Sequence, residues 1–350
     1  MPLTLSSLRQ VLDLDYDDII DVRAPAEWAD DRLPGAISLP VLDDEERARV
    51  GTIYKQDSPF RARKIGAALV AKNAAKHLEG PLADKPGGWR PLVYCWRGGQ
   101  RSGSFASILS QIGWRVETVA GGYKTYRTLV ARALYDDPLP SRVIVLDGNT
   151  GTAKTELLAL LAGHGVQVID LEGMANHRGS LFGARAGGQP SQKAFEGRLA
   201  LALARLDPAR PVVVEAESSK IGNLSLPPRL WRGMVAAPRV AVAAPLEQRA
   251  AYLARAYADL TADADELAAV IERLRPLHPA ERIEGWLKMA AEGAFQSLAH
   301  DLMALHYDAR YAKQRSLTGA PEPVTVDAES LVPEALPGLA ARLAAEIDRL

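Results

Sequence analysis

The sequence predicts an α/β protein of two domains, each built on a parallel or mostly parallel sheet. Three observations carry that expectation. Short apolar runs such as Asp18-Ile19-Ile20-Asp21-Val22 and Pro91-Leu92-Val93-Tyr94 alternate with helical patterns, and strands that alternate with helices imply parallel pairing. Arg142-Val143-Ile144-Val145-Leu146 is almost continuously apolar, as befits a strand buried on both faces. Finally, 350 residues exceed the roughly 250–300 that one core holds. Asp136-Asp137-Pro138-Leu139-Pro140 breaks the pattern, so domains are expected over 1–137 and 138–350.

In chain order, the Asp18–Val22 strand is followed by Pro25-Ala26-Glu27-Trp28, a short helix with Pro in its first turn. Leu33-Pro34-Gly35 turns into a brief strand ending near Leu39. A helical region from Asp43 to Leu78 is interrupted at Asp57-Ser58-Pro59, and 81–91 reads as a linker because of its three prolines and two glycines. A strand at Pro91–Tyr94, a helix from Ser102 to Ile112 and a strand at Val116–Val119 complete the first half. In the second half, strands are expected at Val166–Asp170, Pro211–Glu215, Arg239–Ala244 and Pro323–Val326. Helices are expected at Glu156–Leu161, Leu246–Leu260, Ala264–Leu274, Arg282–Met303 and from Glu334.

Composition narrows the function classes. Lys and Arg total 42 against 43 acids, a net charge of −1, so any nucleic-acid surface must be local. A single cysteine cannot close an internal disulfide and suits a reducing compartment. The chain starts without a charged-then-apolar signal, and no run approaches the ~18 apolar residues of a membrane span. A cytoplasmic protein without membrane partners is expected.

That cysteine is the most informative residue. Cys95 lies in Tyr94-Cys95-Trp96-Arg97-Gly98-Gly99-Gln100-Arg101-Ser102, between a strand and a helix. A thiol there faces free helix N–H groups and the positive end of the helix dipole, which favours the nucleophilic thiolate. Gly98 and Gly99 let the loop wrap around whatever sulfur carries, and Arg97 and Arg101 add positive charge. The alternative is a structural cysteine packed as a small hydrophobe.

Directly after the Val143–Leu146 strand comes Gly148-Asn149-Thr150-Gly151-Thr152-Ala153-Lys154-Thr155, then a helix. This is a P-loop pattern. Its backbone N–H groups and helix dipole would attract phosphate oxygens, Lys154 would reach a terminal phosphate, and Thr155 could bind Mg²⁺. Ala153 stands where Gly is usual; its methyl is harmless at negative φ and otherwise costs ~1 kcal/mol. The Val212–Glu215 strand ends in acids, of which Glu215 is the first Mg²⁺ candidate and Glu217 the second; alternatively they mark a strand's exit into solvent. Between these elements, Asp170-Leu171-Glu172-Gly173 and His177-Arg178-Gly179-Ser180 form a loop placed for substrate binding.

Taken together the motifs resemble bacterial tRNA 2-selenouridine synthases, over nearly the whole chain and in the same order. Asp21-Val22-Arg23-Ala24-Pro25-Ala26-Glu27 and Pro34-Gly35-Ala36-Ile37 look like rhodanese signatures. Ser58-Pro59-Phe60-Arg61-Ala62-Arg63-Lys64, the Cys95 loop and Gly121-Gly122-Tyr123-Lys124 are more specific. So are the Asp170 and His177 segments, Glu217-Ser218 and His306-Tyr307-Asp308. Ala153, and Ala216 between Glu215 and Glu217, depart from the pattern. The resemblance implies a rhodanese-like α/β domain joined to a P-loop NTPase-like α/β domain with added helices.

It implies a substrate tRNA carrying wobble 2-thiouridine, with selenophosphate and geranyl diphosphate as co-substrates and no tightly bound prosthetic group. S-geranylation would turn sulfur into a good leaving group for selenium to displace. A selenophosphate-supplying enzyme is an expected partner. On this reading the P-loop holds the diphosphate and Cys95, with Arg97 and Arg101, handles selenium. Asp170, Glu172, His177, Arg178, Glu215 and Glu217 are substrate-binding candidates.

Cys95-x5-Arg101 is also the spacing of cysteine phosphatases, although Tyr94 stands where those place His. A non-catalytic tRNA- or nucleotide-binding protein is a further alternative. The tRNA surface is expected on the helix from Arg61 to His77, which carries Arg61, Arg63, Lys64, Lys72 and Lys76 and no acid. Lys64, Lys72 and Lys76 share one stripe, unless the stripe is merely a solvated face.

Overall fold

Buried β-branched residues make the strands, and both main sheets are parallel throughout. The computed structural model describes residues 2–310 and 319–350. They divide into two units, 1–137 with 190–205 and 138–189 with 206–350.

In the first unit the strands β1 (Asp18–Asp21), β2 (Ala36–Ser38), β3 (Pro91–Tyr94) and β4 (Glu117–Thr118) lie in the order β2-β1-β3-β4. All four β3 residues are buried. Ile20, Val22, Val93, Phe105 and Leu109 share one core with Cys95, which follows β3 directly. The predicted helical region is two helices. Asp44–Gln56 is capped by Asp43 with Glu46 reciprocating, and Pro59–Glu79 is capped by Ser58 with Pro in its first turn. These caps satisfy otherwise orphaned N–H groups, which is why the break falls at Asp57-Ser58.

Two expectations change. The 81–91 stretch is no slack linker: Leu82 and Trp89 are buried, and the Trp89 ring meets Trp114 edge-on at 5.0 Å. Its indole N–H donates to Asp18 at 2.7 Å. The helix Gln192–Arg205, which the sequence reading left within 138–350, packs in the first unit. Its buried Glu196 pairs with Arg127 and accepts from Tyr135 Oη at 2.7 Å.

In the second unit β5 (Val143–Gly148), β6 (Gln167–Ile169), β7 (Val212–Glu215), β10 (Arg239–Ala243) and β11 (Val324–Asp327) run in the order β11-β10-β5-β7-β6. A small hairpin, β8 (Lys220–Ile221) with β9 (Leu224–Ser225), lies apart from them. All six β5 residues are buried, as the apolar run required. Leu157, Leu158 and Leu161 of the helix Lys154–Gly163 pack with Leu339 and Leu343 of Leu336–Ile347 in the sheet's main core. A second cluster, drawn mostly from helices, includes Leu267, Ile271, Ile283, Trp286 and Leu298.

The helix expected over Arg282–Met303 is split into Ala280–Ala291 and Phe295–Leu302. Gly293 adopts φ +69° there, the left-handed stop that glycine tolerates best. Among the described residues no helix is long and apolar enough to cross a membrane.

Candidate functional site

Each unit carries one candidate site at the C-terminal end of its central strands, where loops of a parallel sheet converge. In the first unit Cys95 is 3% exposed. Its Sγ accepts hydrogen bonds from the Gly99 N–H at 3.3 Å and the Ser102 hydroxyl at 3.2 Å. Burial pushes the thiol up, but the Ser102 hydroxyl and N–H, the Gly99 N–H and the Arg101 charge outweigh it, and its pKa is lowered. The loop is held from below, since Tyr123 and Lys124 donate their N–H groups to the Cys95 and Trp96 carbonyls at 2.8 and 2.9 Å. Gly122, at φ +59°, makes this approach possible: a Cβ there would lie 2.2 Å from the Cys95 carbonyl oxygen.

Several roles became visible only with the fold. Arg97 is exposed beside the loop. Arg101 is instead paired with Glu27 at 2.7 Å, and burial, which alone would raise Glu27, is outweighed by Arg101, so that carboxyl is lowered. A guanidinium so engaged is less available to a phosphoester. Tyr94 donates to Asp21 at 2.8 Å, and Asp21 is also gripped by the buried Arg23, whose guanidinium lies 4.0 Å from the Tyr123 ring centroid. The Asp21-Val22-Arg23 motif thus braces the strand that carries Cys95. The signal for Glu27 was its place in that same motif.

In the second unit, Thr150, Gly151, Thr152, Ala153, Lys154 and Thr155 line a cavity of about 870 Å³ with Glu172, Arg178, Arg185 and Glu217. Gly148 and Asn149 close the loop: their carbonyls accept from the Lys154 ammonium at 2.9 and 3.3 Å. Ala153 sits at φ +57°, the left-handed case in which its methyl costs ~1 kcal/mol. Arg249 supports the loop through the Thr150 carbonyl at 3.2 Å and is held by Asp308 at 2.8 and 3.0 Å, which gives the His306-Tyr307-Asp308 motif a structural task. Arg178 is aimed by Asp259, two contacts of 2.7 Å, and by the Tyr257 ring at 4.6 Å. Arg185 escaped the sequence reading because nothing in its spacing marks it.

The acids are arranged differently from the sequence expectation. Glu217, and not Glu215, lines the cavity. Glu215 is buried, accepts the Glu172 N–H at 2.8 Å, and has no partner for its other oxygen among the described residues. Burial and the nearby Asp170 push its carboxyl well above the usual range. Glu217 is pushed up too, by burial and then by Glu172 and Glu215. Thr155 donates to Glu172 at 2.9 Å. Hard oxygen donors for Mg²⁺ are therefore Thr155, Glu172 and Glu217; no group of three or more His, Cys, Asp or Glu side chains placed to hold a metal ion occurs among the described residues.

Asp170 caps the helix Leu171–Ala175, and His177 accepts the Gly179 N–H at 3.1 Å. Both shape the loop and neither lines the cavity. On the helix Pro59–Glu79, Arg61, Arg63, Lys64, Lys72 and Lys76 are all exposed. Arg61 pairs with Asp57 at 2.7 Å and Lys76 donates to Asn73 at 3.0 Å.

A cysteine loop on one parallel α/β unit and a phosphate loop on another define a rhodanese-like domain joined to a P-loop domain. Comparison with known proteins agrees: the rhodanese-like domain family matches residues 4–129 and the "tRNA 2-selenouridine synthase AAA domain" family matches 141–274. The chain belongs to the tRNA 2-selenouridine synthase family. Relatives bearing that name include one from Pseudomonas fluorescens, 34% identical over 91% of this chain and 94% of its own. One from Aeromonas salmonicida is 40% identical over 73% of this chain and 68% of its own. One from Hahella chejuensis is 40% identical over 68% of this chain, a match spanning 63% of that relative's length.

Proposed function

We propose that this chain converts wobble 2-thiouridine of tRNA to 2-selenouridine, with selenophosphate as the selenium source and S-geranylation by geranyl diphosphate as the activating step. The observation that carries this reading is the pairing, in one chain, of a stabilised thiol with a P-loop cavity to which Lys154, Arg178 and Arg185 contribute. In the first step the thiouridine sulfur attacks C1 of geranyl diphosphate. The C–S bond forms, the C–O bond breaks, pyrophosphate leaves with the electron pair, and the base loses its N3 proton. Lys154, Arg178 and Arg185 are suited to neutralise the departing diphosphate, an interaction that strengthens as charge develops. Mg²⁺, if bound with the substrate, would be held by Thr155 and Glu172.

In the second step the selenium of selenophosphate adds at C2, and geranyl thiolate departs with the C–S electron pair and takes up a proton. Water then cleaves the P–Se bond, which leaves 2-selenouridine and inorganic phosphate. Cys95 is assigned to selenium because a thiolate is soft, polarizable and already stabilised by its loop. The test is to incubate thiolated tRNA with geranyl diphosphate and selenophosphate, separately and together, and to weigh the nucleosides. Geranylated thiouridine with the first alone, and selenouridine only when both are present, are the expected products. Selenouridine formed at full rate from unactivated thiouridine without geranyl diphosphate would refute the activating step.

A further inference from the structure

A second cavity adjoins the phosphate cavity, and its walls are apolar. Its empty space of about 550 Å³ includes the part open to solvent at its mouth. Thr150, Ser180, Leu253 and Tyr257 line both cavities, so the apolar space begins where the P-loop ends. Its further wall includes Phe182, Leu267, Phe295, Leu298 and Leu302, drawn from the mostly helical cluster of the second unit.

We propose that this cavity holds the hydrocarbon chain of geranyl diphosphate while the P-loop holds its head group; the proposal rests on reading the P-loop as a diphosphate site. An anion-binding loop opening onto an apolar chamber suits an amphiphile. A nucleoside is a poor occupant, because its base and sugar would lose water and find few polar partners among leucines and phenylalanines. Thr150 and Ser180 at the shared mouth place the polar-to-apolar boundary where an allylic C–O bond would lie. The helices Ala264–Glu272 and Phe295–Leu302 thereby acquire a ligand-binding task beyond packing.

Ala254 and Ala299 also line the cavity and are half-buried, so a larger side chain there enters empty space rather than the packed core. The experiment is calorimetric titration of the full chain with inorganic pyrophosphate, dimethylallyl diphosphate and geranyl diphosphate. Each buried methylene is worth about fourfold in affinity, so geranyl diphosphate should bind at least about tenfold tighter than dimethylallyl diphosphate. Ala299→Phe should weaken geranyl diphosphate about tenfold or more and leave pyrophosphate unchanged. Ala254→Phe repeats the test, with pyrophosphate binding as the control for folding in each variant. If neither variant keeps that binding, the wild-type chain-length comparison decides alone.

Equal affinity for the two prenyl diphosphates, or unchanged geranyl binding in Phe variants that still take up pyrophosphate, would overturn the proposal while leaving the P-loop reading intact. Failure of the wild-type chain to bind pyrophosphate at all would overturn the P-loop reading, and the cavity assignment with it.

Discussion

The Cys95 sulfur accepts two hydrogen bonds before any substrate arrives, so its chemistry is set by neighbours a few residues away. Ser102→Ala removes the hydroxyl donor and should raise the thiol's pKa; the midpoint of thiolate ultraviolet absorbance, unambiguous with one cysteine, should move to higher pH. Cys95→Ser should block selenouridine formation and spare geranylation, because the latter uses the tRNA's own sulfur. Loss of both steps in a folded variant would contradict the division of labour. Lys154→Ala should slow geranyl transfer by about 10²–10³-fold without unfolding the chain, measured on thiolated tRNA. At Ala153 two small effects oppose each other. Gly would relieve ~1 kcal/mol of left-handed strain but delete a methyl buried in the main core, worth about 0.8 kcal/mol. Ala153→Gly should therefore leave stability nearly unchanged, as chemical denaturation can check.

At the scale of elements, the helix Pro59–Glu79 presents five exposed cations and carries an acid only in Glu79 at its end. If tRNA phosphates lie on it, Lys72→Glu with Lys76→Glu should weaken tRNA binding and flatten its dependence on salt; unchanged affinity would make it an ordinary solvated face. The end of β7 yields a stability prediction. Burial raises the Glu215 carboxyl, so the folded chain keeps a proton that the unfolded chain releases near pH 4.3. Its contribution is full below that pH and is lost as pH rises toward the raised value. Glu215→Gln should reduce the fall of stability above about pH 5 by up to ~1.4 kcal/mol per pH unit, read from urea midpoints. The break between the two helices at Ser58-Pro59 could be read from the sequence because caps and Pro act locally. The split at Gly293 could not, because one glycine inside an apolar period does not announce whether its φ turns positive.

For the whole molecule, the sequence by itself determined the α/β class, the parallel sheets, the cysteine loop and the phosphate loop. Each is written in consecutive residues, and the physics that specifies them (periodicity, caps, glycine-rich turns at strand ends) acts over a few positions. Only the tertiary structure decided which side chains face a common space. It put Glu217 rather than Glu215 at the P-loop cavity, turned Asp170 and His177 to bracing the loop, engaged Arg101 with Glu27, and brought Arg185 to the same cavity. It also assigned the helix Gln192–Arg205 to the first unit and lined an apolar chamber with residues from 150 to 307. Those outcomes depend on contacts between residues far apart in the chain. Their energies come from burial and charge pairing in three dimensions, for which sequence spacing carries no signal.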